Sequence, residues 1–253
     1  MYDLRGVLCL VGTMGLCACG VPDEFDDQLE FRDTFVQPGS GGWLGNGLED
    51  PDVSGVDPSY SLNSPEGLSS SAGWLLDSES LKTARYMVEC ALPANQSITK
   101  NVGGQTIVLQ GLLGLAPEWK TQECDQDCQE WVSACLLART NVSGETVQIY
   151  VAGDHEALGS TPPADTVLEA AFYGNLFEDP EGKYLCKGSA LSVVAARRDG
   201  RTCSSGQGCD FTSYSNCTSF SRCTMDGTTP GNCKTGSQAT SAPYHSIATY
   251  VVP

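Results

Sequence analysis

Thirteen cysteines in 253 residues, ten of them between Cys90 and Cys233, constrain this chain more than any other feature. The ten are Cys90, Cys124, Cys128, Cys135, Cys186, Cys203, Cys209, Cys217, Cys223 and Cys233. An even number can pair completely, as a disulfide framework requires. From Cys203 to Cys233 the chain carries five cysteines and almost no aliphatic residue. Such a stretch has no core of its own and depends on crosslinks, each worth about 2–4 kcal/mol. Zinc would favour cysteine pairs two to four residues apart. Only Cys124 and Cys128 approach that spacing, so disulfides are expected and no metal or cofactor is assigned. Cys124 and Cys128 fall one turn apart on a predicted helix. A bridge between them would strain that helix, so each is expected to reach a different element. Connectivity stays open, since ten cysteines allow about 945 pairings.

The other three, Cys9, Cys17 and Cys19, lie in an apolar N-terminal segment. Gly6 to Cys17 follows Arg5 and is uncharged. It is shorter than the roughly 20 residues a membrane-spanning helix needs, and fits the apolar part of an export signal. It ends in Leu16-Cys17-Ala18-Cys19, which looks like a bacterial lipobox. Residues 1–18 are therefore expected to be a lipoprotein signal peptide, and Cys19 to carry the diacylglyceryl and palmitate-type acyl chains. Ordinary signal cleavage after Ala18 or Gly20 is the alternative. The expected location is the cell envelope, lipid-anchored at the outer membrane. No later stretch is apolar enough to span a bilayer as a helix.

Charge is uneven. The formal net charge is -17, which repels phosphates and excludes nucleic acid as the expected partner. From Gly20 to Glu79 there are 13 acidic residues, one arginine and no lysine, so this stretch holds -12 of the total. Gly, Pro and Ser supply 23 of its sixty residues. That composition predicts an extended, disordered tether over residues 19–77. The acidic run Asp23, Glu24, Asp26 and Asp27 lacks the spacing and turn glycine of a calcium loop.

The folded domain is expected over residues 78–253. Leu81, Ala84, Val88, Ala91 and Leu92 share a helical face, with Asp77 or Ser78 as cap and Pro93 as stop. Val102 to Leu109 predicts a turn and a strand. Gln122 to Arg139 predicts a second helix with Cys124, Cys128, Trp131, Cys135 and Ala138 on one stripe. Glu145 to Val151 alternates as a half-buried strand. Thr166 to Tyr173 predicts a short helix ended by Gly174-Asn175. Ala190 to Ala196 and Ile247 to Val252 predict strands. The fold class is therefore α+β, a single disulfide-rich domain.

Catalytic motifs are missing: there is no HExxH, G-x-S-x-G or P-loop pattern. Complete pairing leaves no thiol for a cysteine nucleophile. The two histidines, His155 and His245, stand far apart in sequence and read as surface or core residues. Glu118-Trp119 and Glu130-Trp131 set a carboxylate beside an indole, a pairing that can support acid catalysis. Neighbours on a helix point different ways, so both pairs read as structural. No catalytic residue is assigned.

Several runs resemble cysteine-rich exported proteins and lipoproteins of myxobacteria and their relatives. They are YMVECALPANQSI from Tyr86, GLLGLAPEWK from Gly111, CDQDCQEWVSACLLARTN from Cys124, AAFYGNLF from Ala170, and the region from Cys186 to Cys233. The resemblance spans roughly Tyr86 to Cys233 and implies export and a disulfide-braced domain. It brings no catalytic residue or ligand. The leading expectation is a non-enzymatic, lipid-anchored module that binds an envelope or surface partner. A hydrolase using a carboxylate pair on envelope glycan or peptide is one alternative, and a structural envelope component another.

Overall fold

The computed structural model describes residues 34–35, 42–69, 73–202, 210–236 and 241–253. The segment expected to be a signal peptide, Cys19 and the acidic run at Asp23–Asp27 lie outside the described residues. So do Cys203 and Cys209.

In chain order the elements are β1 (Thr34–Phe35), β2 (Gly42–Gly45), α1 (Ser78–Ala91), β3 (Ser97–Val102), β4 (Gln105–Gln110), α2 (Gln126–Ala138), β5 (Gln148–Ala152), β6 (Val167–Tyr173) and β7 (Tyr184–Lys187). Then follow α3 (Ser192–Arg201), β8 (Thr212–Asn216), β9 (Thr224–Asp226), β10 (Thr229–Gly231) and β11 (Ser246–Val251). Seven strands form one sheet in the order β1-β2-β5-β11-β6-β7-β8. All its pairs are antiparallel except β7 with β8. Strands and helices do not alternate as in a doubly wound fold, and the domain is a disulfide-rich α+β structure.

The sheet is covered on both faces. Leu44, Ile149, Val151, Phe172, Leu185 and Ile247 belong to the main core, on the face that α2 covers. Tyr150, Ala152, Ala248 and Tyr250 line the opposite face, as do Ala171, Tyr173 and Cys186. The hairpin of β9 and β10 packs on that second face through β11. Two-sided burial explains why β6 and β11 lack alternation, with Glu169 in β6 and Ser246 and Thr249 in β11 as their polar residues.

Local chemistry sets the helix ends. Asp77 accepts from the Ser80 amide at 2.9 Å and starts α1. Asp125 does the same for α2, accepting from the Cys128 amide at 3.0 Å. Helix α2 is buried around nearly its whole circumference from Glu130 to Ala138. Gly103 and Gly104 both take positive φ, 58° and 82°, in the two-residue turn that joins β3 to β4.

Three expectations are corrected. Thr166 to Tyr173 is not a helix: residues from Val167 form β6, hydrogen-bonded to β11 and β7 on its two sides. Tertiary pairing overrides the helix preference of the Leu-Glu-Ala-Ala run. Ala190 to Ala196 is not a strand, because Ser192–Arg201 forms α3. Its buried face is Val194, Arg198 and Arg201, at helical spacing, and two of those three are charged.

The third correction concerns the tether. Residues 42–69 belong to the domain: β2 pairs with β5, and Leu44, Leu48, Val53, Leu62 and Leu68 are buried. The Leu62 amide donates to the Trp119 carbonyl at 2.9 Å, and the Trp119 indole donates to the Tyr60 carbonyl at 3.1 Å. Lys100 donates to the Ser64 carbonyl at 2.6 Å. Burial pulls that amine down to about 8 although Glu66 opposes the shift. Several acidic residues act as local acceptors rather than as a repelling string. Asp52 accepts from the Ser54 amide and the Trp74 indole, both at 2.9 Å, and Asp57 from the Ser59 amide at 3.0 Å. Gly55 lies under the Trp74 ring, where a Cβ would fall 2.2 Å from Cδ2. Leu62→Ala is therefore expected to lower the unfolding free energy by about 2–5 kcal/mol. Urea denaturation reads it; a solvated tether would give no change.

Candidate functional site

Eight of the ten domain cysteines lie among the described residues, and they pair as Cys90–Cys135, Cys124–Cys128, Cys186–Cys217 and Cys223–Cys233. The first joins α1 to α2 and the third joins β7 to the residue just after β8. The second corrects the expectation that Cys124 and Cys128 reach separate elements. Helix α2 starts at Gln126, not Gln122, so Cys124 precedes the cap residue Asp125 and is free of helical geometry. Its Cα can then sit 5.2 Å from that of Cys128, within the ordinary disulfide range. The sulfurs of Cys186, Cys223 and Cys233 lie within 4.8 Å of one another. They belong to two packed disulfides, with Cys186 Sγ 3.4 Å from Cys223 Sγ, so none of them is the thiolate that ligates a metal.

The fold brings the two histidines together across Trp131. His245 stacks on the indole with centroids 4.4 Å apart, and His155 meets it edge-on at 4.8 Å. His245 Nε2 lies 2.6 Å from Asp127 Oδ1, and the His245 amide donates to Glu130 at 3.0 Å. Glu130 also accepts from Gln126 at 2.9 Å. The Glu130-Trp131 pair thus ties the start of β11 to α2. His155 Nδ1 accepts from the Ala157 amide at 3.0 Å, which leaves its proton on Nε2. Burial holds this imidazole below its ordinary value, against the pull of Glu156 and the Leu115 carbonyl. Trp119, the other indole, is fully buried against Phe177.

A cleft of about 400 Å³ opens on the helix side of the sheet. Asn46, Gln148, Glu169, Arg197, Arg201 and Val251 are among its lining residues. Its floor is an ion pair. Glu169 sits in a β-bulge: Leu168 pairs with Tyr250 and Ala170 with Thr249, so Glu169 has no opposite residue. The bulge turns its side chain toward α3, as bulges beside sites do. Arg201 grips both carboxylate oxygens, at 2.9 and 2.6 Å, and Thr249 donates to one of them at 2.7 Å. Burial pushes the Glu169 carboxyl up, but the Arg201 charge and these hydrogen bonds hold it below its ordinary value.

Asn46 is the polar group at this cleft that the fold leaves incomplete. It is 0% exposed, and its Oδ1 accepts from the Val147 amide at 3.0 Å. Its Nδ2 has no partner, one of three such buried side-chain atoms among the described residues. Exchanging the amide oxygen and nitrogen would turn an NH2 toward the Val147 N–H, so the orientation is fixed. A buried donor without an acceptor costs about 1–3 kcal/mol. Sequence reasoning missed all three principal residues of this cleft. Asn46 sat in the stretch read as tether, Glu169 in a predicted helix, and Arg201 beyond a predicted strand.

No protein-family model, curated protein or solved structure matches the chain.

Proposed function

We propose that this protein is an exported, lipid-anchored binding module of the cell envelope. Diacylglyceryl on Cys19 holds it to the outer membrane, and its disulfide-braced domain binds an envelope or surface ligand in the Asn46–Glu169–Arg201 cleft. The observation that carries the proposal is the pairing of all eight described domain cysteines, which fits an oxidising compartment and a domain built to persist there. The resemblance to exported myxobacterial proteins points the same way. The cleft supports binding over catalysis because its acid and base are locked to each other: Glu169 and Arg201 neutralise one another and are both buried.

The test is membrane fractionation with intact mass. Native protein is expected in the membrane pellet with a diacyl or triacyl adduct on Cys19, and Cys19→Ala protein in the soluble fraction. A soluble wild-type protein without acyl mass would overturn the anchor.

A further inference from the structure

We infer that the cleft takes a small carboxylate with an aliphatic body, bound through Asn46 and Arg197. This assignment rests on the binding reading above and adds the chemical class of the ligand.

The first ground is the incomplete donor. Asn46 Nδ2 is buried at the cleft with no acceptor, and the Val147 amide prevents the side chain from turning around. Only a group that accepts a hydrogen bond satisfies it. The second ground is charge. Arg201 is neutralised by Glu169, and its Nη1 is also occupied by the Ala138 and Thr140 carbonyls at 3.1 and 2.8 Å. Arg197 is the second guanidinium on the rim. It is exposed, and its Nη1 donates to the Val252 carbonyl at 2.7 Å. The wall therefore carries one uncompensated positive charge in a fork that suits a carboxylate.

The third ground is the rest of the lining. Val147, Ile149, Ala196 and Val251 give an apolar wall for a hydrocarbon body. The cleft volume lies at the small end of the range for small-molecule sites, roughly 300–1,000 Å³. A polyol would need acceptors as well as donors from the wall. The buried side-chain acceptors of the wall are taken, Glu169 by Arg201 and Thr249, and Asn141 Oδ1 by the Ser143 amide and hydroxyl at 3.2 and 2.7 Å, which leaves the exposed Gln148 at the rim. A cationic ligand would meet Arg197. An acid whose chain lies along the apolar wall satisfies both donors at once.

The experiment is a ¹H–¹⁵N titration of the full chain carrying Cys19→Ala, following the Asn46 side-chain amide. The probes are hexanoate, hexan-1-ol, hexylamine and glucose, each up to about 10 mM, where weak binding still registers. Hexanoate is expected to shift the Asn46 amide saturably and the other three to leave it unmoved. Asn46→Asp keeps the acceptor for Val147 and replaces the donor with an acceptor. Arg197→Gln removes the charge at an exposed position and leaves the core untouched. Each variant is expected to weaken hexanoate about tenfold or more. Should Asn46→Asp fail to fold, Arg197→Gln still decides. Saturable binding of hexanol or glucose as tight as hexanoate, or undiminished hexanoate binding by Arg197→Gln, overturns the carboxylate assignment while the cleft stands as a binding site. No saturable shift with any probe overturns the cleft assignment itself, and the lipid anchor is then judged by fractionation alone.

Discussion

Arg201→Met is expected to destabilise the domain by about 3–5 kcal/mol, because it strands a buried carboxylate without a counter-charge. Arg201 is 4% exposed and Glu169 1% exposed, so water cannot replace the lost partner. The loss spreads beyond the pair. Arg201 also closes the end of α2 by donating to the carbonyl of Ala138, its last residue, which the helix itself leaves unsatisfied, and to that of Thr140 just beyond. The double variant Arg201→Met with Glu169→Leu removes both charges, and is expected to recover much of the loss. Its residual cost is the pair of carbonyls left unbonded.

The pH dependence of stability should change sign. In the wild type the folded Glu169 carboxyl lies below its ordinary value of 4.5. Its contribution is then complete above about that pH and is lost as pH falls through the folded value. In Arg201→Met the largest influence opposing burial is gone and only the Thr249 hydroxyl and the Arg198 charge remain, so burial is expected to carry the folded carboxyl above its unfolded value. Stability from this group is then greatest at low pH and falls as pH rises past about 4.5. Melting temperatures across the acid range for the two proteins read the reversal. Parallel profiles would mean that Glu169 and Arg201 do not form the pair described.

The second large effect is expected from the disulfides, graded by the chain each one closes. The Cys90–Cys135 bond spans 45 residues, Cys186–Cys217 spans 31, Cys223–Cys233 spans 10 and Cys124–Cys128 spans 4. Loop-closure entropy then assigns about 4 kcal/mol to the first and about 2 kcal/mol to the last. Replacing both cysteines of a pair by alanine should reproduce that order in urea unfolding. Cys90 and Cys135 are also fully packed between α1 and α2, so their loss adds a packing term in the same direction. A larger loss from the Cys124–Cys128 pair than from Cys90–Cys135 would contradict the assigned pairing.

Some of this fold was legible in the sequence because the signal was local. Helix α1 showed its cap, its apolar stripe and its proline stop. Strand β11 shows a compact apolar run, and Gly174-Asn175 marks the end of the element before it, which is β6. The errors fall where tertiary contacts decide. The alanine-rich runs of β6 and α3 carry little periodicity, so pairing with β11 made one a strand. Buried arginines made the other a helix, and an apolar count treats arginine as outward-facing. In residues 42–69 the average composition concealed five spaced apolar residues that each bury. The cleft was illegible for a deeper reason. Asn46, Glu169 and Arg201 come from three segments far apart in the chain. Their relation exists only after the bulge in β6 and the end of α3 meet. The histidines illustrate the same limit, since nothing local predicts that both lie against Trp131.

The disulfides underpin the oxidised domain most directly, and one measurement addresses them. Protein isolated from its native cells, alkylated without reduction and digested, is analysed for crosslinked peptides by mass. Linked peptides are expected for Cys90–Cys135, Cys124–Cys128, Cys186–Cys217 and Cys223–Cys233, with no alkylated cysteine among those eight. Alkylated thiols at these positions would contradict the brace, and with it the exported, oxidised domain on which the proposed function depends.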